Sequence, residues 1–338
     1  VRLLMRAPME QGSGTLGLLR RQLDYWYAVR ESARQVSDAD AIFVLMSADA
    51  VDRILAVLGS PFGRRCFVAL FIQAKFHWPA LGIGPGGRSV RLSGLAFRRV
   101  LAHPYLIAAA SIDATLLEAM RTDPVAARLH FIPDPGEIRC TLDRQAARAA
   151  LALPAAAYLV LVYGVIDERK GVGDLLQAVA GMPAGLHIVL AGRFAKGYRE
   201  RLVAHGADRL LAAGRLTIRD RYVDTDEEGC LFRAADLVWL GYAPNFHGQS
   251  AVLAQAASAR VPVLGKSGGL IGRSIRQERL GLTVDPTDTQ AVRERLAEAM
   301  ASSSAALAPG AAEFAAKRSA DAYRQAWAAC LFGTGESE

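Results

Sequence analysis

Cysteine is scarce in this chain of 338 residues: Cys66, Cys140, Cys230 and Cys330 stand far apart, and no two form a C-x-x-C pair. That excludes a zinc ribbon and a disulfide-stapled scaffold, and it fits a reducing, cytoplasmic compartment. No cluster of His and Cys has metal-ligand spacing, so no metal is expected. Long apolar runs are nearly absent too. The 18 residues Ala149–Ile166 carry no charge, but Pro154 and Gly164 interrupt them. Their second part, Tyr158–Tyr163, is β-branched and aromatic, which predicts a loop and a buried strand rather than a spanning helix. The opening Val1–Pro8 is too short and too interrupted for a signal peptide. The arginines are not interleaved with aromatics, and no helix-turn-helix or zinc-finger spacing occurs, which sets nucleic acid aside as a partner.

What is present is ample core material, with 52% hydrophobic and 22% charged residues. A chain of this length and composition folds, with two domains as the expectation. The net charge of +7 is uneven: residues 1–150 hold 19 Lys/Arg against 13 Asp/Glu, the remainder 21 against 20. A basic first half suits an anionic membrane surface or a phosphorylated substrate, as well as plain solvation.

Short apolar runs alternate with longer Ala/Leu/Arg segments of helical period, the pattern of strands joined by helical crossovers into a parallel sheet. In the first half the predicted strands are Arg2–Arg6, Ala41–Met46, Cys66–Ile72, Tyr105–Ala110 and Leu129–Ile132, with a loop at Gln11–Thr15 and a helix from Leu16 to about Gln35. In the second they are Tyr158–Tyr163, Leu186–Ala191, Leu216–Ile218, Leu237–Leu240, Val261–Leu264 and Leu282–Val284. The fold class expected is therefore α/β, two doubly wound Rossmann-like domains facing a central cleft. The first covers residues 1–145 and the second 155–310, with the Ala-rich Asp143–Pro154 as the boundary and a final helix over 311–332 crossing back to the first domain. Open sheets of this kind bind ligands beyond the carboxyl ends of their strands.

Three glycine-bearing turns lie at such ends. Gly164-Val-Ile-Asp-Glu-Arg-Lys-Gly171 follows the Tyr158–Tyr163 strand and precedes a helix expected near Asp174, so that Arg169 and Lys170 bring positive charge to a close-approach backbone. The loop Gly241–Ser250 opens into a small-residue helix, and Gly248, Gln249 and Ser250 would offer free backbone N–H groups at its start. Lys266-Ser-Gly-Gly-Leu270 is the third turn. Each alone is consistent with simple chain reversal; three together point to one shared anionic ligand.

These residues in this order, with Ala235-Asp236, Val261-Pro-Val263 and Gly281-Leu-Thr-Val-Asp-Pro286, resemble retaining glycosyltransferases of the GT-B fold, notably glycosyltransferase family 4. The resemblance covers about residues 158–300 and is looser in the first half, at Arg2–Pro8, Gly12–Gly14 and Phe131–Asp134. It implies a cytoplasmic or membrane-peripheral enzyme that moves a sugar, with retention and without metal or cofactor, from a nucleoside diphosphate sugar. The acceptor is a saccharide, a lipid-linked or a small molecule, held by the basic first domain. Lys170 matches the lysine on the donor diphosphate, and Gly14, Gly164, Arg169, Gly248, Ser250, Ala251, Val252, Gly268 and Gly269 fall along the same phosphates. His247 and Gln255 stand where the family has two glutamates, touching the transferred sugar and the ribose. Val165 stands where it usually has a phosphate-binding arginine. His77 is the expected partner near the sugar from the first domain, with Lys75 suited to an acceptor phosphate or a membrane. The catalytic set expected is thus Lys170, His77 and His247. A non-catalytic sugar-nucleotide-binding or assembly subunit, motivated by the missing glutamates, and a sugar-nucleotide epimerase are the alternatives.

Overall fold

The computed structural model describes residues 14–38, 40–84 and 86–333. It divides into two compact units, one formed by Val1–Pro133 with Tyr323–Glu338 and the other by Asp134–Ala322. Each is an α/β unit built on a parallel sheet.

The first unit's sheet has the order β1 (Phe43–Leu45), β2 (Phe67–Phe71), β3 (Leu106–Ser111), β4 (Leu129–Phe131), all parallel. A parallel strand covered on both faces must be apolar throughout, and all five residues of β2 are buried. Alternation then sorts them. Phe67, Ala69 and Phe71 pack with Phe97, Leu116 and Met120. Val68 and Leu70 face the other way, against Cys330, Tyr323 and Trp327 of the last helix. That last segment is not one helix over 311–332. Ala311–Ala316 and Ala320–Phe332 are separate, the first capping within the second unit and the second reaching the first unit's sheet from Tyr323 onward. The expected Arg2–Arg6 strand and most of the Gln11–Thr15 loop lie outside the described residues. Gly14, expected in that loop, instead opens the helix Gly14–Arg34.

The second sheet has the order β10-β9-β8-β5-β6-β7, all parallel, from β5 (Tyr158–Tyr163), β6 (Leu186–Ala191), β7 (Leu216–Arg219), β8 (Leu237–Leu240), β9 (Val263–Lys266) and β10 (Gly281–Val284). Val160 and Val162 face the helices Val172–Ala180 and Thr289–Ala301, whereas Leu159 and Leu161 face the side covered by Thr225–Ala234 and Ala251–Ser258. The chain runs outward from β5 to β7, then returns to β8 on the other side of β5 and continues outward to β10. The order therefore reverses between β5 and β8, and their carboxyl ends flank the crevice that such a reversal leaves.

The division between units falls at Pro133, ahead of the Ala-rich boundary expected from composition. The helix Arg144–Ala150 belongs to the second unit because Arg148 is buried there. Its guanidinium meets Asp236 at 2.6 Å and also binds the carbonyls of Ala155 and Ala157, while Asp236 accepts from the Leu159 backbone at 2.7 Å.

Candidate functional site

The site grows from the end of β5. Gly164 adopts φ 98° and leaves the strand; a Cβ there would stand 3.6 Å from the Lys170 Nζ. A short 3-10 turn, Glu168–Lys170, follows, capped by the Asp167 carboxylate on the Arg169 N–H. Gly171 then starts the next helix at Val172, two residues before the start expected from the sequence, because its left-handed φ of 59° is already the N-cap. This turn is locked to the loop after β8. Trp239 donates its indole N–H to the Lys170 carbonyl at 2.9 Å, and the Ala243 N–H donates to the Arg169 carbonyl at 2.8 Å. A Cβ on Gly171 would lie 2.0 Å from the Gly241 oxygen.

Lys170 is thereby held almost fully buried at the point of strand reversal. Its ammonium donates to the Tyr163 carbonyl at 2.7 Å and to the Tyr242 hydroxyl at 3.0 Å, and that hydroxyl pairs with the Ser250 Oγ at 2.9 Å. An ammonium has three N–H groups, so one remains for a ligand. Among the described residues Lys170 forms no ion pair: nearby Asp167 is taken by Arg169 at 2.8 Å and Glu168 by Arg201 at 2.8 Å. Its charge is thus buried against neutral oxygens alone, an arrangement whose desolvation cost a bound anion would offset.

The loop Gly241–Ser250 is held by Lys266, the first residue of the third glycine turn. Its three N–H groups are spent on the carbonyls of Ala243, Pro244 and Phe246, at 2.9, 3.0 and 2.7 Å. Burial lowers its ammonium from the ordinary lysine value, Asp285 opposing. Lys266 is therefore a scaffold cation, whereas Lys170 keeps capacity. Gly269, at φ 72°, lies against His247, whose carbonyl accepts the Leu270 N–H at 3.0 Å, so the Gly268-Gly269 turn and His247 are neighbours. Gly268 and Ala251 are exposed, Ser250 is half-buried, and Gly248 and Val252 are buried. Arg169 is exposed but already neutralised by Asp167, with its guanidinium 5.9 Å from the Phe246 ring centre.

Two expected residues have surroundings that the sequence did not announce. Gln255 donates its amide N–H to Glu228 at 2.6 Å, and Glu228 also takes the Tyr163 hydroxyl, so a carboxylate from another helix joins the site. Burial first and that carboxylate second hold the Tyr163 phenol above its ordinary range. His77, in the first unit, is packed rather than open. Its side chain is 3% exposed, with Nε2 at 2.9 Å from the Thr115 Oγ1 and 3.3 Å from Asp113. Trp78 and Thr115 also donate to Asp113. Burial opposes ionisation of Asp113, yet the hydrogen bonds from His77, Thr115 and Trp78 prevail and hold its carboxyl below the ordinary value. His77 is thus enclosed within its own unit on its Nε2 side, while its Nδ1 has no hydrogen-bond partner among the described residues. Lys75 is exposed, with its ammonium 5.8 Å from the Trp78 ring centre.

Two Asp-x-Asp spacings occur, and both have local uses. Asp38 accepts the Asp40 N–H, and Asp224 caps the helix Thr225–Ala234. Among the described residues no group of three or more His, Cys, Asp or Glu is arranged to hold a metal ion, and no helix is long and apolar enough to cross a membrane.

Two Rossmann-like parallel-sheet units in one α/β chain, as in GT-B glycosyltransferase structures, define the fold class. Among solved structures, Anabaena HepE in complex with UDP aligns over 91% of this chain and 82% of its own, with TM-score 0.65 and 18% identity. Sucrose-phosphate synthase from Thermosynechococcus elongatus aligns over 92% and 79%, with TM-score 0.65 and 18% identity. In sequence, the D-inositol 3-phosphate glycosyltransferases of Mycobacterium tuberculosis and Mycobacterium bovis are 35% identical over 156 residues, which is 43% of this chain. The match spans only 32% of those relatives' length. No protein-family model matches the chain.

Proposed function

We propose that the protein is a glycosyltransferase that takes a sugar from a nucleoside diphosphate sugar, with retention of configuration and without a metal ion. The observation that carries this reading is the Lys170 ammonium, buried at the β5/β8 reversal with a donor to spare and no carboxylate partner. The sequence relatives named as glycosyltransferases and the UDP-bound fold neighbour support it.

In this reading the diphosphate lies against Lys170, the Ser250 hydroxyl and the first N–H groups of the helix Ala251–Ser258, with the Gly268-Gly269 turn beside it. As the bond from sugar to diphosphate breaks, negative charge grows on the leaving oxygens. Fixed donors aimed there lower the barrier without reorganising, which is where most of such a rate gain arises. His247 lies on the sugar side, and the Gln255–Glu228 pair supplies hydroxyl-binding groups on the ribose side. The acceptor is a saccharide, a lipid-linked or a small molecule held by the first unit. The surplus of Lys/Arg before residue 150 would suit an enzyme working at the cytoplasmic side of an anionic membrane.

Calorimetric titration with UDP and GDP, followed by a mass-spectrometric screen of nucleotide sugars, tests the reading. Saturable binding of one nucleotide and release of that nucleotide from its sugar are expected. Binding without turnover by any sugar and acceptor pair would move the protein to the non-catalytic class that His247 and Gln255, in place of glutamates, first suggested. Failure to bind any nucleoside diphosphate would end the proposal.

A further inference from the structure

The first unit holds a second chemically distinct place. Beyond the carboxyl ends of β1 and β2, the turns Ser47–Ala50 and Ile72–Lys75 and the helices Gly14–Arg34 and Arg88–Leu101 enclose a solvent-open hollow with about 810 Å³ of atom-free space. The part of it open to the centre of a water molecule is about 270 Å³, near the lower end of the roughly 300–1,000 Å³ of small-molecule sites. Phe71, Phe76 and Phe97 give it an apolar wall, and Gln22, Asp49 and Asp52 give it acceptors.

Two of those acceptors, Asp52 and Gln22, keep capacity among the described residues. Asp52 takes the Gln22 amide N–H at 3.0 Å and the Arg53 backbone N–H at 2.8 Å on a single oxygen, Oδ1. Asp49 takes the Ile72 N–H at 2.9 Å and also the backbone N–H groups of Gln73 and of Asp49 itself. Gln22 is only 4% exposed, and its Oε1 has no hydrogen-bond partner among the described residues. An orphaned buried amide oxygen is costly unless a ligand or water supplies a donor. Two cations, Arg53 and Lys75, also line the hollow, and neither pairs with these carboxylates among the described residues. Arg53 binds the Ser89 hydroxyl at 2.7 Å, and the Lys75 ammonium sits over Trp78. Among the described residues neither Asp49 nor Asp52 forms an ion pair. Burial raises the Asp49 carboxyl above its ordinary value; the backbone N–H groups of Ile72, Asp49 and Gln73 oppose this, and nearby Asp52 adds to it.

We infer that this hollow binds a compact polyhydroxylated ring bearing a primary ammonium, of the amino-sugar or aminocyclitol kind. The ammonium meets the Asp49 and Asp52 carboxylates, a hydroxyl donates to the Gln22 Oε1, and the ring's C–H face lies on the phenylalanines. Identifying this ligand as the sugar acceptor rests on the glycosyltransferase reading; the binding itself does not.

Calorimetry on the whole chain, without nucleotide, compares glucosamine and 2-deoxystreptamine with their neutral counterparts glucose and myo-inositol. At least one amine should bind about tenfold or more tightly than its counterpart, the scale of one charge-assisted contact. Asp49→Asn should abolish that preference while sparing UDP binding. Gln22→Met should weaken amine and neutral ring alike, and it serves as the second variant should Asp49→Asn fail to fold. Equal affinity for amine and neutral ring, no saturation by either amine, an amine preference that survives Asp49→Asn, or unchanged affinities in Gln22→Met would each overturn the inference. Asp49-dependent uptake of calcium with no response to amines would overturn it as well. Because UDP is titrated separately, loss of the nucleotide reading and loss of this one show up in different measurements.

Discussion

Replacing Lys170 by methionine separates the anion-binding role of this residue from its role in packing. Methionine keeps much of the apolar stem and deletes the ammonium. On the folding side the change removes two hydrogen bonds, to the Tyr163 carbonyl and the Tyr242 hydroxyl. The hydroxyl keeps Ser250, so the carbonyl is the group left wanting, at a cost of ~1–3 kcal/mol. Against this, a buried cation without a carboxylate partner no longer has to be desolvated, which offsets part of the loss. The net change in stability should stay within ~2 kcal/mol. On the binding side, a unit charge about 4 Å from a phosphate oxygen is worth ~4 kcal/mol at an effective dielectric constant of ~20. Exchange of hydration on the ligand reduces this to the ~1.5–3 kcal/mol of a charged hydrogen bond, a loss of about 10- to 150-fold in UDP affinity. Because Lys170 is buried, most of the loss should persist in ~1 M salt, where the Debye length of ~3 Å suppresses exposed pairs. The assay is calorimetric Kd for UDP in wild type and Lys170→Met at low and high salt, with thermal melts in parallel. A variant that melts like wild type and binds UDP within twofold of it would refute the argument.

Two further substitutions test the scaffold. Gly171→Ala would place a methyl 2.0 Å from the Gly241 oxygen in a residue with φ of 59°, so a loss of at least ~2 kcal/mol in urea unfolding and weaker UDP binding are expected; an unchanged midpoint would show that the two loops are not interlocked. Asp113 has its carboxyl held below the ordinary 3.8, so its folded pKa is depressed. It contributes stability that is present above that ordinary value and lost as pH falls through the depressed one. Thermal melts across the acid range should show wild type and Asp113→Asn converging as the pH drops, and a constant gap between them would contradict the assignment.

The sheets were legible because burial on both faces leaves a plain mark: Phe67–Phe71 and Leu186–Ala191 are apolar at every position or nearly so, and the turns between strands carry glycine. Lys170 could be singled out for the same local reason, a basic residue in a glycine-bounded turn straight after a strand. What a linear reading could not supply is the company these residues keep. Tyr242 lies 72 positions from Lys170 and Glu228 lies 27 from Gln255, and only the strand order, with β8 returning to the side of β5, brings them together. Two lysines at strand ends looked alike in sequence, and their surroundings part them. Lys266 spends all three N–H groups on its own loop, and Lys170 spends two. His77 shows the same gap: it follows β2 at the spacing of a ligand-facing residue, and the partners of its Nε2, Asp113 and Thr115, are distant in sequence. An accounting of donors and acceptors also draws attention to Gln22, a mid-helix glutamine with no motif around it, whose amide oxygen lacks a partner among the described residues and lies beside Asp52. In the two proposals, unspent hydrogen-bonding capacity rather than residue type picks out the ligand chemistry: an anion is proposed at Lys170 and a cation at Asp49 and Asp52.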